Sequence, residues 1–141
     1  MVVHHVDGDT LDVNISQIGR ERLRLIGIDT PETKKPDNPV ECYGPEASRH
    51  LADLLPVGSE VVLLRDIEAR DDYGRFLAYV FRRSDGLFVN LAMASDGYAR
   101  PLSVAPNTMF TSEMSRAAAG ARAAGKGLWA TCPERPPKKR N

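Results

Sequence analysis

The segment RLRLIGIDTPE, residues 22–32, constrains the fold more than any other stretch of the chain. Leu23, Leu25, Ile26 and Ile28 give it the apolar content of a strand. Yet Arg24 sits in its body, and Asp29 and Glu32 close it. An uncompensated charge is costly to bury, so the arginine and the carboxylates must meet one another or water. A regular strand forbids the meeting, because Arg24 and Asp29 have opposite parity and would point to opposite faces. Gly27 lies between them, and a glycine inside a strand pattern marks a bulge or sharp bend. An irregularity is therefore expected between Ile26 and Asp29.

The neighbouring segments supply the rest of a sheet. TLDVNIS places Leu11, Val13 and Ile15 on one face and Thr10, Asp12 and Asn14 on the other, the pattern of a half-buried strand. A short strand over residues 2–6 precedes it across a DGD turn. EVVLLR and RFLAYVFR are apolar on both faces, which predicts strands in a closed or well-covered sheet. Three helices are expected. GPEASRHLADLLP has Pro45 in its first turn and Pro56 after its end. DGLFVNLAMASDGYA reads as a short strand leading into a second helix, which closes at Gly97. In TSEMSRAAAGARAAG, Phe110, Met114, Ala117 and Ala121 share a face and Gly125 is the stop, after which GLWA docks the chain end through Trp129. The fold class is α+β: a small five-stranded barrel of the OB kind with helices packed outside.

At 141 residues the chain is expected to be one domain over residues 1–132. The basic, proline-rich stretch from 133 to 141 reads as a disordered tail. No apolar run reaches the ~18 residues of a membrane span. Net charge is +0, so binding to a polyanion by bulk charge is excluded and must rest on a few placed cations. MVVHHVDGDT lacks a signal-peptide pattern. Met1 is then either the native start or the replacement for a removed leader. Two cysteines permit one pairing: Cys42–Cys132 as a staple for the C-terminus, or two free thiols. The first points to an oxidising, extracellular setting, the second to the cytoplasm.

Asp7 and Asp9 are two apart and face the same way on extended backbone, while Asp29 and Glu32 end the third strand. Asp9, Asp29 and a backbone carbonyl near Thr30 have the ligand chemistry of a hard divalent cation site. DGD and DTPE are equally the signatures of a hairpin turn and a helix cap. Arg24 and Arg75 beside such a site would clamp a phosphate bidentately; each could instead form a surface ion pair worth ~0–1 kcal/mol. His4 and His5 read as edge-strand residues, and Trp129 as a packing anchor.

VDGDT, RLRLIGIDTPE, YGPEAS, DDYGRFLAYVF, VNLAMASDGYA and GLW, in that order and approximate spacing, resemble the staphylococcal nuclease (thermonuclease) family over residues 2–129. The resemblance implies an OB-type barrel with three helices. It also implies calcium-dependent hydrolysis of the P–O5′ bond of DNA and RNA, leaving 3′-phosphates. It assigns Ca²⁺ to Asp9, Asp29 and the Thr30 carbonyl, the attacking water to Glu32, the scissile phosphate to Arg24 and Arg75, and a phosphate contact to Tyr73. Lys34 and Lys35, beside Glu32, are candidate contacts to the nucleic-acid backbone. A monomer is expected.

Two departures from the family's best-known member stand out. Asp72 replaces a lysine before the YGR motif, and PLSVAPNTMF, with Ser103 and Ala105, replaces a loop bearing substrate-contacting tyrosines. Weaker nucleotide binding is expected, since base stacking contributes ~1–3 kcal/mol per base. Pro106 matches a loop proline whose isomer stays open. Two alternatives remain beside the general nuclease: a non-catalytic module binding nucleic acid or protein, and a narrower enzyme restricted to RNA or short single strands.

Overall fold

The computed structural model describes residues 1–33 and 40–133. Strand β1 (Val2–His5) and strand β2 (Thr10–Ile15) pair antiparallel, and β2 pairs in turn with β3 (Gly19–Leu25) from Thr10 opposite Arg24 to Ile15 opposite Gly19. Leu11 and Val13 are buried against Leu23 and Leu25, as the alternation of TLDVNIS requires, but the strand is not half-buried at this end: Thr10 and Asp12, on the other face, are buried as well.

The expected irregularity lies at Gly27. Strand β3 ends at Leu25, Gly27 takes φ +85°, and the chain resumes as β4 (Gly27–Asp29). A side chain at that φ would be strained, so glycine makes the break possible. Strand β4 leaves the main sheet and pairs with β7 (Arg100–Leu102). The single strand expected over RLRLIGI is therefore two.

Strands β5 (Val61–Leu64) and β6 (Phe76–Arg82) complete the main sheet, whose order is β1-β2-β3-β6-β5 with β3 and β6 parallel. Val2 N donates to Ser59 O at 2.9 Å and accepts at its carbonyl from Gly58 N at 2.8 Å. These bonds bring the β1 edge to the turn that enters β5. The sheet curls into a barrel-like layer without a continuous closing ladder. The expectation of two covered faces holds for β6, where Leu77 to Val80 are all buried, and fails for β5. Val62 and Leu64 are 50% and 39% exposed, because β5 is an edge strand with one face on the core and, among the described residues, no layer over the other.

Helix α1 (Gly44–Leu54) buries Ala47 and Leu51, helix α2 (Val89–Ser95) buries Val89 and Met93, and helix α3 (Thr111–Ala123) buries Met114, Ala118 and Ala121. The expected α3 face is right to within one turn; Ala118 takes the buried place and Ala117 is half-buried. A fourth, short helix, α4 (Leu128–Thr131), was not expected. It docks through the fully buried Leu128, whose N–H donates to Gly97 O at 2.9 Å. The guanidiniums of Arg100 and Arg122 lie 5.4 and 5.5 Å from the centre of the Trp129 ring. The Ala105–Pro106 bond is cis.

Asn90 of α2 ties the break to the core. Its Oδ1 accepts from Val80 N at 2.8 Å, and its Nδ2 donates to Ile26 O at 2.8 Å and Ala78 O at 3.3 Å. The amide satisfies backbone groups that the interrupted β3 ladder leaves over.

Cys42 and Cys132 form a disulfide across a sequence separation of 90. Chain-entropy arguments give a loop of that length up to about 4–5 kcal/mol. The Cys42→Ser/Cys132→Ser variant, and the reduced wild type, are expected to lose up to that much stability in urea titrations. Coincident unfolding curves for reduced and oxidised protein would remove the staple from the account of stability.

Candidate active site

Arg24 stands at the end of β3, and its guanidinium turns into the break rather than outward. Nη1 donates to Leu25 O and, at 3.0 Å, to Ile28 O, so it caps carbonyls on both sides of Gly27. Nη2 lies 3.3 Å from Asp9 Oδ2 and 3.6 Å from Asp29 Oδ1. Arg24 and Asp29, of opposite parity, meet because the strand breaks between them. All three side chains are largely buried.

Asp9 reaches this point from the turn before β2. Its Oδ2 accepts from Thr30 N at 3.0 Å, its Oδ1 from Thr10 Oγ1 at 3.0 Å, and its backbone carbonyl from Leu25 N at 2.8 Å. Burial pushes the Asp9 carboxyl up, but the Arg24 charge and the Thr30 N–H outweigh it, and its pKa falls below the ordinary carboxylate value. Gly8 lets the turn lie close: a Cβ there would sit 2.8 Å from Thr30 Oγ1.

Asp7, which shares the turn, behaves in the opposite way. Its Oδ1 accepts from Asp9 N at 3.2 Å. Burial first, then the neighbouring Asp9 charge, raise its pKa from 3.8 to about 7, with a smaller contribution from Glu32. The Glu32 charge is therefore felt in the same acidic region. The Glu32 backbone is fixed by a reciprocal pair of bonds: its N–H donates to Glu41 Oε1 at 3.0 Å and its carbonyl accepts from Glu41 N at 2.9 Å.

Arg75 enters from the start of β6. Asp71 accepts from Arg75 Nε at 2.6 Å, and from the backbone N–H groups of Arg75 and Tyr73 at 2.9 and 3.0 Å. One carboxylate thus sets both the turn and the arginine. Arg75 also lies 5.6 Å from the Tyr73 ring, and Tyr73 is 84% exposed. Arg24 and Arg75 line one cleft of about 270 Å³, with an apolar lining that includes Leu77, Leu102 and Val104.

The structure therefore brings Asp9, Arg24, Asp29 and Thr30 together and gives Arg24 and Arg75 a common cleft. Tyr73 touches Arg75 from the outside. Lys34 and Lys35 lie outside the described residues. Two residues escaped the sequence reading as site members. Asp7 was visible only as a partner in parity to Asp9. Asp71 precedes Arg75 by four residues in DDYGR, a spacing that carries no meaning in a loop until the turn is known.

The donors at Asp9, Asp29 and Thr30 are all oxygen, the chemistry of a hard cation rather than of zinc. Among the described residues no three His, Cys, Asp or Glu side chains gather in metal-binding geometry. A cation here would rest on the two carboxylates and the Thr30 backbone carbonyl, completed by water. Thr30 Oγ1 is buried without a hydrogen-bond partner, and one guanidinium faces two buried carboxylates with Asp7 beside them. A divalent cation fits both observations.

A profile of the family described as staphylococcal nuclease homologue matches residues 22–131, from within β3 to the end of α4. The chain is 37% identical over 132 residues to the thermonuclease of Staphylococcus hyicus, covering 91% of this chain and 73% of that protein. It is 39% identical over 130 residues to the thermonuclease of Staphylococcus intermedius, covering 92% and 74%. It is 35% identical over 125 residues to the SPbeta prophage-derived endonuclease YokF of Bacillus subtilis (strain 168), covering 88% and 41%. The curled five-stranded sheet with its outer helices, together with these matches, makes the chain a member of the staphylococcal nuclease family.

The raised Asp7 pKa has a definite consequence in chelator. Between pH 4 and 7 the folded chain holds a proton that the unfolded chain has lost, so this contribution is full below pH 4 and disappears as pH rises to 7. Relative to Asp7→Asn, the wild type is expected to lose on the order of 1–3 kcal/mol across that interval, after discounting the partial exposure of the carboxyl. Urea unfolding of both proteins at pH 4.5, 6 and 7.5 in EGTA measures the difference. A difference independent of pH would mean that Asp7 titrates like an ordinary carboxylate.

Proposed function

We propose that the protein is a calcium-dependent phosphodiesterase that hydrolyses the P–O5′ bond of DNA, RNA or both and leaves 3′-phosphates. The observation that carries this reading is Arg24, held between two buried carboxylates and lining the same cleft as Arg75. Two guanidiniums against a carboxylate pair that suits a hard cation form a seat for one phosphodiester. The names of the relatives, thermonuclease and endonuclease, point the same way.

In this reading Asp9, Asp29 and Thr30 hold Ca²⁺, which when bound would polarise a phosphoryl oxygen and acidify water. Glu32 orients the attacking water and takes its proton; the reciprocal bonds to Glu41 keep its backbone in place. The water oxygen bonds to phosphorus, the P–O5′ bond breaks, and O5′ leaves with a proton from solvent. Negative charge grows on the phosphoryl oxygens as this happens. Arg24 and Arg75 stabilise it electrostatically, since a guanidinium holds its protons too tightly to serve as an acid. Asp71 holds Arg75 through Nε, which directs its terminal nitrogens to the phosphate. Tyr73 contacts the substrate phosphate from the rim, and Lys34 and Lys35 contact the flanking backbone. The disulfide supports an oxidising, extracellular place of action.

Digestion of single-stranded DNA and of RNA with calcium or EGTA tests the reading. Cleavage is expected only with calcium and with 3′-phosphate ends. Glu32→Gln and Arg75→Ala are each expected to reduce kcat by ~10²–10³ while leaving the unfolding midpoint in place. Calcium-independent binding of nucleic acid by a folded protein that cuts neither substrate would replace the enzyme by a binding module.

A further inference from the structure

The cleft shared by Arg24 and Arg75 has an unusual charge balance. Three arginines line it, and each already faces a carboxylate. Arg24 lies against Asp9 and Asp29, Arg75 against Asp71, and Arg70 against Glu21, with Arg70 Nη1 also donating to Gly74 O at 3.0 Å. Two further carboxylates line the cleft, Glu68 and Asp72. Both are exposed, and neither makes an ion pair among the described residues. The charge that is not compensated within the cleft is negative.

These carboxylates stand on rigid supports. Asp72 belongs to the turn closed by Gly74 N donating to Asp71 O at 3.0 Å. The Glu68 backbone is pinned to the loop across the cleft: Glu68 N donates to Asn107 Oδ1 at 2.8 Å, and Asn107 Nδ2 donates to Glu68 O at 3.0 Å. Asp66 reinforces the join, accepting from Tyr79 Oη at 2.6 Å and Met109 N at 3.0 Å. The backbones that carry these two anionic groups are thus fixed in the cleft that Arg24 and Arg75 line. At about 270 Å³, the cleft is smaller than pockets for drug-sized ligands, ~300–1,000 Å³. Its size suits one nucleoside, with the apolar side chains of Leu77, Leu102 and Val104 for base or sugar.

We propose that Glu68 and Asp72 make this cleft selective for a chain-terminal nucleoside, one that brings a single phosphate to the arginines and presents hydroxyls to the carboxylates. Ionised carboxylates are acceptors only. They accept from a free sugar hydroxyl or a base amine, and they repel a second phosphate on the same nucleoside. The inference rests on the phosphodiesterase reading in one respect, that Arg24 and Arg75 seat a phosphate. It goes beyond that reading by assigning the cleft to ends of chains rather than to continuous strand.

Equilibrium binding separates the two claims, because it does not need turnover. Calorimetric titrations with calcium present would compare thymidine 5′-monophosphate, 3′-monophosphate and 3′,5′-bisphosphate, for the wild type and for Glu68→Gln/Asp72→Asn. The wild type is expected to bind the better monophosphate at least tenfold more tightly than the bisphosphate. In the double variant the order is expected to reverse, with an unchanged unfolding midpoint. Tighter binding of the bisphosphate by the wild type, an order unaltered by the double substitution, or no binding of any of the three, each overturns the inference. A protein that discriminates as expected but cuts no nucleic acid would overturn the phosphodiesterase reading and leave the selectivity of the cleft intact.

Discussion

The guanidinium of Arg24 is the contact on which both fold and site depend. One face of it caps the carbonyls of Leu25 and Ile28, on either side of the Gly27 break. The other meets Asp9 and Asp29, which come from different parts of the chain. Removing one member of such a buried group leaves an uncompensated charge, which is more damaging than removing all of it. The arginine explains why β3 can stop, and the stop explains why Asp29 can face Asp9. Asn90 secures the same break from α2 by donating to Ile26 O. A local exception to strand geometry is thus held by one side chain from the site and one from the core.

The second structural theme is the placement of Arg75. Its turn is organised by a single carboxylate, Asp71, which binds the Arg75 side chain and two backbone N–H groups. The segment that carries this turn is tied across the cleft to the loop beyond β7: Asp66 accepts from Met109 N, and the Glu68 backbone exchanges two bonds with the Asn107 amide. The cleft is therefore bounded by hydrogen-bonded joins, with β6 alongside. Such a scaffold can hold two arginines at a fixed separation without a long helix or a bound ligand to order them.

Much of this was legible in the sequence, for identifiable reasons. TLDVNIS formed the strand expected, although Thr10 and Asp12, read as its open face, are buried too. The parity conflict between Arg24 and Asp29 required a break, and Gly27 supplied it. The α3 face followed from apolar spacing, shifted only by the exchange of Ala117 for Ala118. EVVLLR misled because apolar residues on both faces of a short strand do not report whether a second layer exists; β5 proved to be an edge with Val62 and Leu64 exposed. Asp71 was hidden because its partner is set by turn geometry rather than by helical spacing. The divergent behaviour of Asp7 and Asp9, neighbours of the same type facing the same way, follows from which of them Arg24 reaches. That is a distance no sequence pattern encodes.

The disulfide joins these themes at the remaining carboxylate. Glu32 is exchanged with Glu41 through two backbone-directed bonds, so the two ends of the intervening loop are fixed to each other. Cys42 follows Glu41 directly and is bonded to Cys132, one residue past α4. Tyr43, next in the chain, takes φ 71° and turns it into α1. The C-terminal segment is itself seated on Gly97 through Leu128. The position of the Glu32 backbone is thereby referred to the body of the protein along two routes, back through β4 and forward through the disulfide. In the proposed reaction a carboxylate that orients a water molecule needs a fixed backbone more than it needs deep burial. In this chain a half-buried glutamate acquires that fixity from covalent and hydrogen-bonded neighbours on both sides.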